Sequence, residues 1–150
     1  MIELPSNKGS LAIAADHAGF SLKEIVKAAL LDWTVPCEDL GTYSGRSTDY
    51  PPYAHEVAKG VVSGRFSRGI LVCGTGLGMS MAANRHAGIR AAVCCDPFSA
   101  RMARFHNDAN ILCLGSNVVG VGLAKEIVRT FLDTPFEGGR HIPRIAKIEP

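Results

Sequence analysis

The chain has 150 residues, 47% hydrophobic and 20% charged, enough for one globular domain with a sizeable core. A net charge of +2 gives no electrostatic case for nucleic acid or a membrane surface as partner. The five cysteines (37, 73, 94, 95 and 113) are odd in number and lack a CxxC pair, so they read as reduced thiols rather than a disulfide framework or zinc set. Residues 1–10 show no signal-peptide core, and no stretch nears the ~20 apolar residues of a membrane span, so the expected compartment is the cytoplasm.

In chain order, residues 11–15 form a short apolar strand running into Asp16-His17-Ala18-Gly19. A helix from about Phe20 carries Leu22, Ile25, Val26, Ala29 and Trp33 on one stripe. Ser21 and Glu24 stand at capping-box spacing there, and Phe20 can staple onto Ile25. Residues 34–39 make a second strand, placed at a sheet edge because Pro36 cannot donate to a ladder. A polar loop with Tyr43, Arg46, Asp49 and Tyr50 follows. Pro51 and Pro52 then suit the first turn of a helix to about Val62, with Tyr53, Val57 and Val61 on one face.

The third strand, residues 70–73, is apolar without interruption, as burial on both faces of a parallel sheet requires. A helix-prone run, 79–85, comes next, then a fourth strand over 89–94. Asp96-Pro97 is a cap-and-first-turn pair for a helix to about His106. Residues 111–114 are the fifth strand, followed by a helix whose buried stripe is Leu123, Ile127, Val128 and Phe131, and residues 140–148 form a last short helix. This alternation predicts a single domain over 1–150. Its class is α/β, a three-layer α/β/α sandwich on a five-stranded parallel Rossmann-like sheet of order 2-1-3-4-5. Ligands bind such sheets at the carboxyl ends of the strands, at the switch point between strands one and three. That puts Asp16-His17 beside Cys73.

Cys73 is followed by Gly74, Gly76 and Gly78 at alternate positions. A glycine-rich turn between strand and helix aims backbone N–H groups at whatever lies above it, so one loop supplies both a base and a cradle for negative charge. It departs from a dinucleotide fingerprint, since the third glycine comes one residue early and the turn follows strand three, while Asp96 at a ribose-like distance downstream keeps that reading as a minor alternative. No Gly-Lys-Ser/Thr follows for a Walker loop, and Met79 stands where a Cys-x5-Arg phosphatase loop needs arginine. No His/Cys spacing resembles a zinc set. Each residue taken alone also has a structural reading. Cysteine packs well at a buried strand end, Asp16-His17 can cap a helix, and His106 can serve a helix dipole. His55 and His86 read as ordinary surface or helix residues. Arg140 and Arg144, four apart, are either a solvated face or a phosphate clamp. On these grounds a non-catalytic phospho-ligand module and an enzyme both stand.

Five blocks, Asp16-His17-Ala18-Gly19-Phe20, Thr48-Asp49-Tyr50-Pro51, Cys73-Gly74-Thr75-Gly76-Leu77-Gly78, His106-Asn107-Asp108 and Glu137-Gly138-Gly139-Arg140-His141, resemble type B ribose-5-phosphate isomerases, in order and in register over about 11–148. The wider family includes allose- and galactose-6-phosphate isomerases. The resemblance implies a cofactor-free, metal-free interconversion of D-ribose 5-phosphate and D-ribulose 5-phosphate, a step of the pentose phosphate pathway. It implies Cys73 as the base moving a proton between C2 and C1, the N–H groups of Gly74, Gly76 and Gly78 with Thr75 as enediolate donors, and His106 opening the sugar ring with Asp16 nearby. Asn107 and Tyr50 hold hydroxyls, and His17, Arg140 and Arg144 hold the phosphate. It further implies a homodimer or homotetramer with sites at the interface, His106 and Asn107 reaching in from the partner. Relatives often carry arginine where this chain has Asn117, so the phosphate end is where this sequence departs from the pattern.

Overall fold

A computed structural model describes residues 10–150. The segment read as lacking a signal-peptide core therefore lies almost wholly outside the described residues. Five parallel strands, β1 (Ser10–Ala15), β2 (Cys37–Asp39), β3 (Phe66–Cys73), β4 (Ala91–Val93) and β5 (Ile111–Gly115), form one sheet. Helices α1 (Phe20–Asp32), α2 (Tyr50–Val62), α3 (Leu77–Ala83), α4 (Pro97–Asn107) and α5 (Val121–Asp133) connect and cover it, and a short 3-10 turn leads into α6 (Ile142–Ile145). No described helix is long and apolar enough to cross a membrane.

The α/β class holds, but the strand order is 2-1-3-5-4, not 2-1-3-4-5. β5 pairs with β3 over Gly69↔Ile111 to Cys73↔Gly115 and carries β4 on its other side. The reason lies in the residues. All of β5 is buried and fills a two-sided position, whereas Ala91, Ala92 and Val93 are short, half-buried and suited to an edge. β2 occupies the other edge and begins just after Pro36, as the missing donor requires.

Alternate side chains split the core into two layers. Leu11, Ile13, Ile70, Val72, Leu112 and Leu114 pack under α1, α4 and α5. Ala12, Ala14, Leu71, Cys73, Ile111 and Cys113 pack under α2 and α3. Asp96 caps α4 through Ser99 N–H at 2.7 Å. The capping box at Ser21 and Glu24 does not form. Helix α1 starts at Phe20 with no side-chain cap on its first turn, because Gly19 is pressed against β3 and fixes the entry point. On α5, Leu123 is exposed, and Ala124, Ile127, Val128, Phe131 and Leu132 form the buried stripe.

Candidate active site

The first group of candidate residues sits where β1 and β3 end side by side. Asp16 N–H continues the pairing to Val72 O at 3.2 Å, and its buried carboxylate accepts Gly19 N–H at 3.0 Å, closing the turn into α1. A side chain at Gly19 would place its Cβ 2.3 Å from the Val72 carbonyl oxygen, so only glycine fits there. His17 is exposed, its Nδ1 accepting Thr48 N–H at 3.2 Å and lying 3.1 Å from Thr48 O. Tyr50 opens α2 and lays its ring on Gly78, where a Cβ would come within 2.6 Å of the ring.

Between these groups lies Cys73, buried with 5% of its surface exposed. Gly76 is in the left-handed region at φ 79° and turns its N–H onto Cys73 Sγ at 3.1 Å. Leu77 N–H donates to Thr75 Oγ1 at 3.3 Å. Two N–H groups of the turn are thus used by the turn's own side chains. The loop after β5 is stitched on top: Ser116 N–H donates to Cys73 O at 2.9 Å and Asn117 N–H to Gly74 O at 3.0 Å. Asn117 stands against Gly74, and Ser116 Oγ donates to Ala18 O. Asp16, His17, Tyr50, Cys73, Gly74, Thr75, Gly76 and Gly78 are therefore one constellation at the carboxyl end of the sheet.

Burial pushes the Cys37 and Cys94 thiols up to about 12 and Cys113 well above the ordinary thiol value, which leaves these three protonated near neutrality.

His106, Asn107, Arg140 and Arg144 form a second group elsewhere. Helix α4 starts at the carboxyl end of β4 and runs back along the sheet, so its last residues reach the opposite end. There Arg90, the residue before β4, donates to Asn107 O at 2.9 Å. The His106 ring stacks on His141 with centroids 4.4 Å apart and planes at 18°. His141 is buried and holds Glu137 through Nε2 and Oε2 at 2.6 Å, and Arg140 Nε lies 3.4 Å from the same nitrogen. Arg144, His106, Asn107 and His141 line a cavity of about 270 Å³. A larger one, about 680 Å³ beside β4, takes in only Asn107 of the candidate residues.

Within one chain the two groups are held at opposite ends of the sheet. The site reading also missed Glu137 and His141 as side chains, although both lie in a block already singled out. His106, Glu137 and His141 bring ligand atoms within 4.8 Å of one another. The set is a histidine–carboxylate pair, His141 with Glu137, under the stacked His106 ring. The pair His55 and His86 is also more than surface: Nδ1 and Nε2 meet at 2.8 Å, tying α2 to the end of α3.

A family model for ribose/galactose isomerases matches residues 11–148. The chain is 51% identical over 138 residues to ribose-5-phosphate isomerase B of Escherichia coli, covering 92% of this chain and 93% of that one. It is 42% identical over 140 residues to a D-erythrulose-4-phosphate isomerase of Pectobacterium atrosepticum, covering 93% and 92%. The crystal structure of a ribose 5-phosphate isomerase from Thermotoga maritima superposes with a TM-score of 0.92 at 56% identity, over 95% of this chain and 99% of that one. The chain belongs to the ribose/galactose isomerase family and is an aldose–ketose isomerase.

Proposed function

We propose that residues 10–150 act as one catalytic domain that interconverts D-ribose 5-phosphate and D-ribulose 5-phosphate, a step of the pentose phosphate pathway, in the cytoplasm and without cofactor. The observation that carries this reading is the sulfur of Cys73 set in the glycine turn with Gly76 N–H aimed at it. Cys73 as thiolate takes the proton from C2 of the open-chain aldose, and the electron pair moves to the carbonyl oxygen to give an enediolate. The resulting thiol returns the proton to C1 while the hydroxyl proton on O2 passes to O1, so that O2 becomes the new carbonyl and O1 the new hydroxyl. Charge on the two oxygens is met by N–H groups of Gly74, Thr75 and Gly78 and by the Thr75 hydroxyl, where losing one donor typically costs about 2.7–4 kcal/mol. Asp16 and Tyr50 border the sugar, and His17 takes the phosphate.

Ring opening and the remaining phosphate contacts need His106, Asn107, Arg140 and Arg144, which in one chain lie at the wrong end of the sheet. A two-fold pairing of copies supplies them, because it sets each carboxyl-end group against the partner's opposite end twice over. Exposed apolar side chains support this pairing: Leu77, Met81, Phe98, Val118 and Val121 near the first group and Ile142 and Ile148 near the second.

The test is an assay that detects ketose phosphate of either chain length on purified enzyme, with ribose, allose and galactose phosphates compared by kcat/KM. Ribose 5-phosphate leads the panel, and Cys73→Ala abolishes turnover while leaving the fold intact. A Cys73→Ala enzyme with ordinary activity would remove Cys73 from the reaction. A six-carbon phosphate ahead of ribose would move the substrate.

A further inference from the structure

Lys23 is charged and has 0% of its surface exposed. Its ammonium donates to Asp39 Oδ1 and Oδ2 at 2.7 and 2.8 Å and to the Thr42 carbonyl at 2.6 Å. It also lies 5.2 Å from the ring centre of Tyr43 and 5.5 Å from that of Phe20. Desolvating such a pair can cost more than its attraction returns, and well-packed apolar residues often replace buried pairs with no loss of stability. Stability alone does not account for a lysine here.

What the lysine holds is a stretch of backbone. Asp39 Oδ1 also accepts Gly41 N–H at 2.9 Å. Gly41 and Thr42 clasp Ala15 from both sides, Ala15 N–H to Gly41 O and Thr42 N–H to Ala15 O, each at 2.7 Å. From Gly41 the contacts run outward. The Tyr53 ring packs against Gly41, its hydroxyl meets Thr48 Oγ1 at 3.2 Å, and Thr48 N–H donates to His17 Nδ1. A fully buried ammonium and an exposed imidazole are thus ends of one chain of contacts, hydrogen-bonded at both ends and packed at Gly41 and Tyr53 between.

We propose that Lys23 is a positioning residue for the phosphate end of the substrate: its ammonium fixes the 39–42 backbone, and through Tyr53 and Thr48 that backbone fixes the His17 ring, leaving Nε2 for the ligand. The inference rests on the reading of His17 as a phosphate contact. An exposed histidine left to itself must be ordered when substrate binds, and holding Nδ1 beforehand removes that cost. The benefit falls on binding, so its loss appears in KM rather than kcat.

The experiment is steady-state kinetics with ribose 5-phosphate for His17→Ala, Lys23→Met, Tyr53→Phe and the two doubles that combine either with His17→Ala. Lys23→Met and Tyr53→Phe each raise KM about three- to tenfold with kcat within about twofold, and neither adds to the loss already present in His17→Ala. Should Lys23→Met not fold, Tyr53→Phe, which removes a single hydroxyl, decides alone. Losses that multiply in the doubles, or that fall on kcat, overturn the role of Lys23 while His17 keeps its own. A His17→Ala enzyme with unchanged KM removes the phosphate contact, and this inference with it.

Discussion

At the scale of single residues, the five cysteines show how position sorts identical chemistry. Cys113 lies in the middle of β5 and Cys94 just beyond β4, both buried, and Cys37 is half-buried at the start of β2. For Cys37 and Cys94 burial is the largest cause of a value near 12, with Asp39 and Asp96 adding to it. A thiol whose value is raised stays protonated until the pH climbs to that value, so at pH 8 these groups present S–H, a poor nucleophile. Cys95 is exposed, and Cys73, buried with 5% exposure, stands at the glycine turn that the proposed substrate enters. Iodoacetamide at pH 8 is therefore expected to label Cys95 and Cys73 and to spare the rest. In a Cys95→Ser enzyme, loss of activity then follows the Cys73 label, as peptide mass mapping would read. A label on Cys94 or Cys113 ahead of Cys73 would contradict this ordering.

Secondary elements show where sequence reasoning succeeded and where it stopped. Pro36 marked the edge strand and Asp96-Pro97 the start of α4, because each acts through its own backbone chemistry. The order of β4 and β5 was not readable that way, since both are short apolar runs and only packing decides which is flanked twice. Lys23 escaped notice for a related reason: its partners, Asp39 and Thr42, are distant in sequence and become neighbours only when β2 pairs with β1. The edge strand β4 carries a device of its own. Asn84 donates Nδ2–H to Ala91 O at 2.9 Å and accepts Ala91 N–H on Oδ1 at 2.8 Å, occupying the side that β5 leaves open. One carboxamide thus takes up, at Ala91, the donor and acceptor that a further strand would use. Asn84→Ala is expected to lower stability by about 1–3 kcal/mol in denaturant titration, at about 0.5–1.5 kcal/mol per bond. Asn84→Asp, which keeps only the acceptor, falls between. Equal stability of all three proteins would show that the two bonds add nothing to the fold.

For the molecule as a whole, the sheet is both scaffold and obstacle. It gathers the loops after β1, β3 and β5 at one end; the switch-point rule made the meeting of the first two legible, and the third joins them only because β5, not β4, lies beside β3. By the same geometry it carries His106 and Asn107 away along α4, a consequence of helix direction that residue spacing does not display. The proposed two-fold pairing resolves this separation and has a consequence that no arrangement confined to one chain shares. Cys73→Ala and His106→Ala each disable both sites of their own dimer. When the two are dissociated together and reassembled in equal amounts, half of the dimers are mixed. Each mixed dimer has one site built from the intact Cys73 of one copy and the intact His106 of the other. Two nearly inactive preparations should then regain about a quarter of wild-type activity, the share that random pairing in a closed two-fold dimer dictates. Activity that stays at the sum of the parents after subunit exchange has been verified by mass would place the complete site within a single chain.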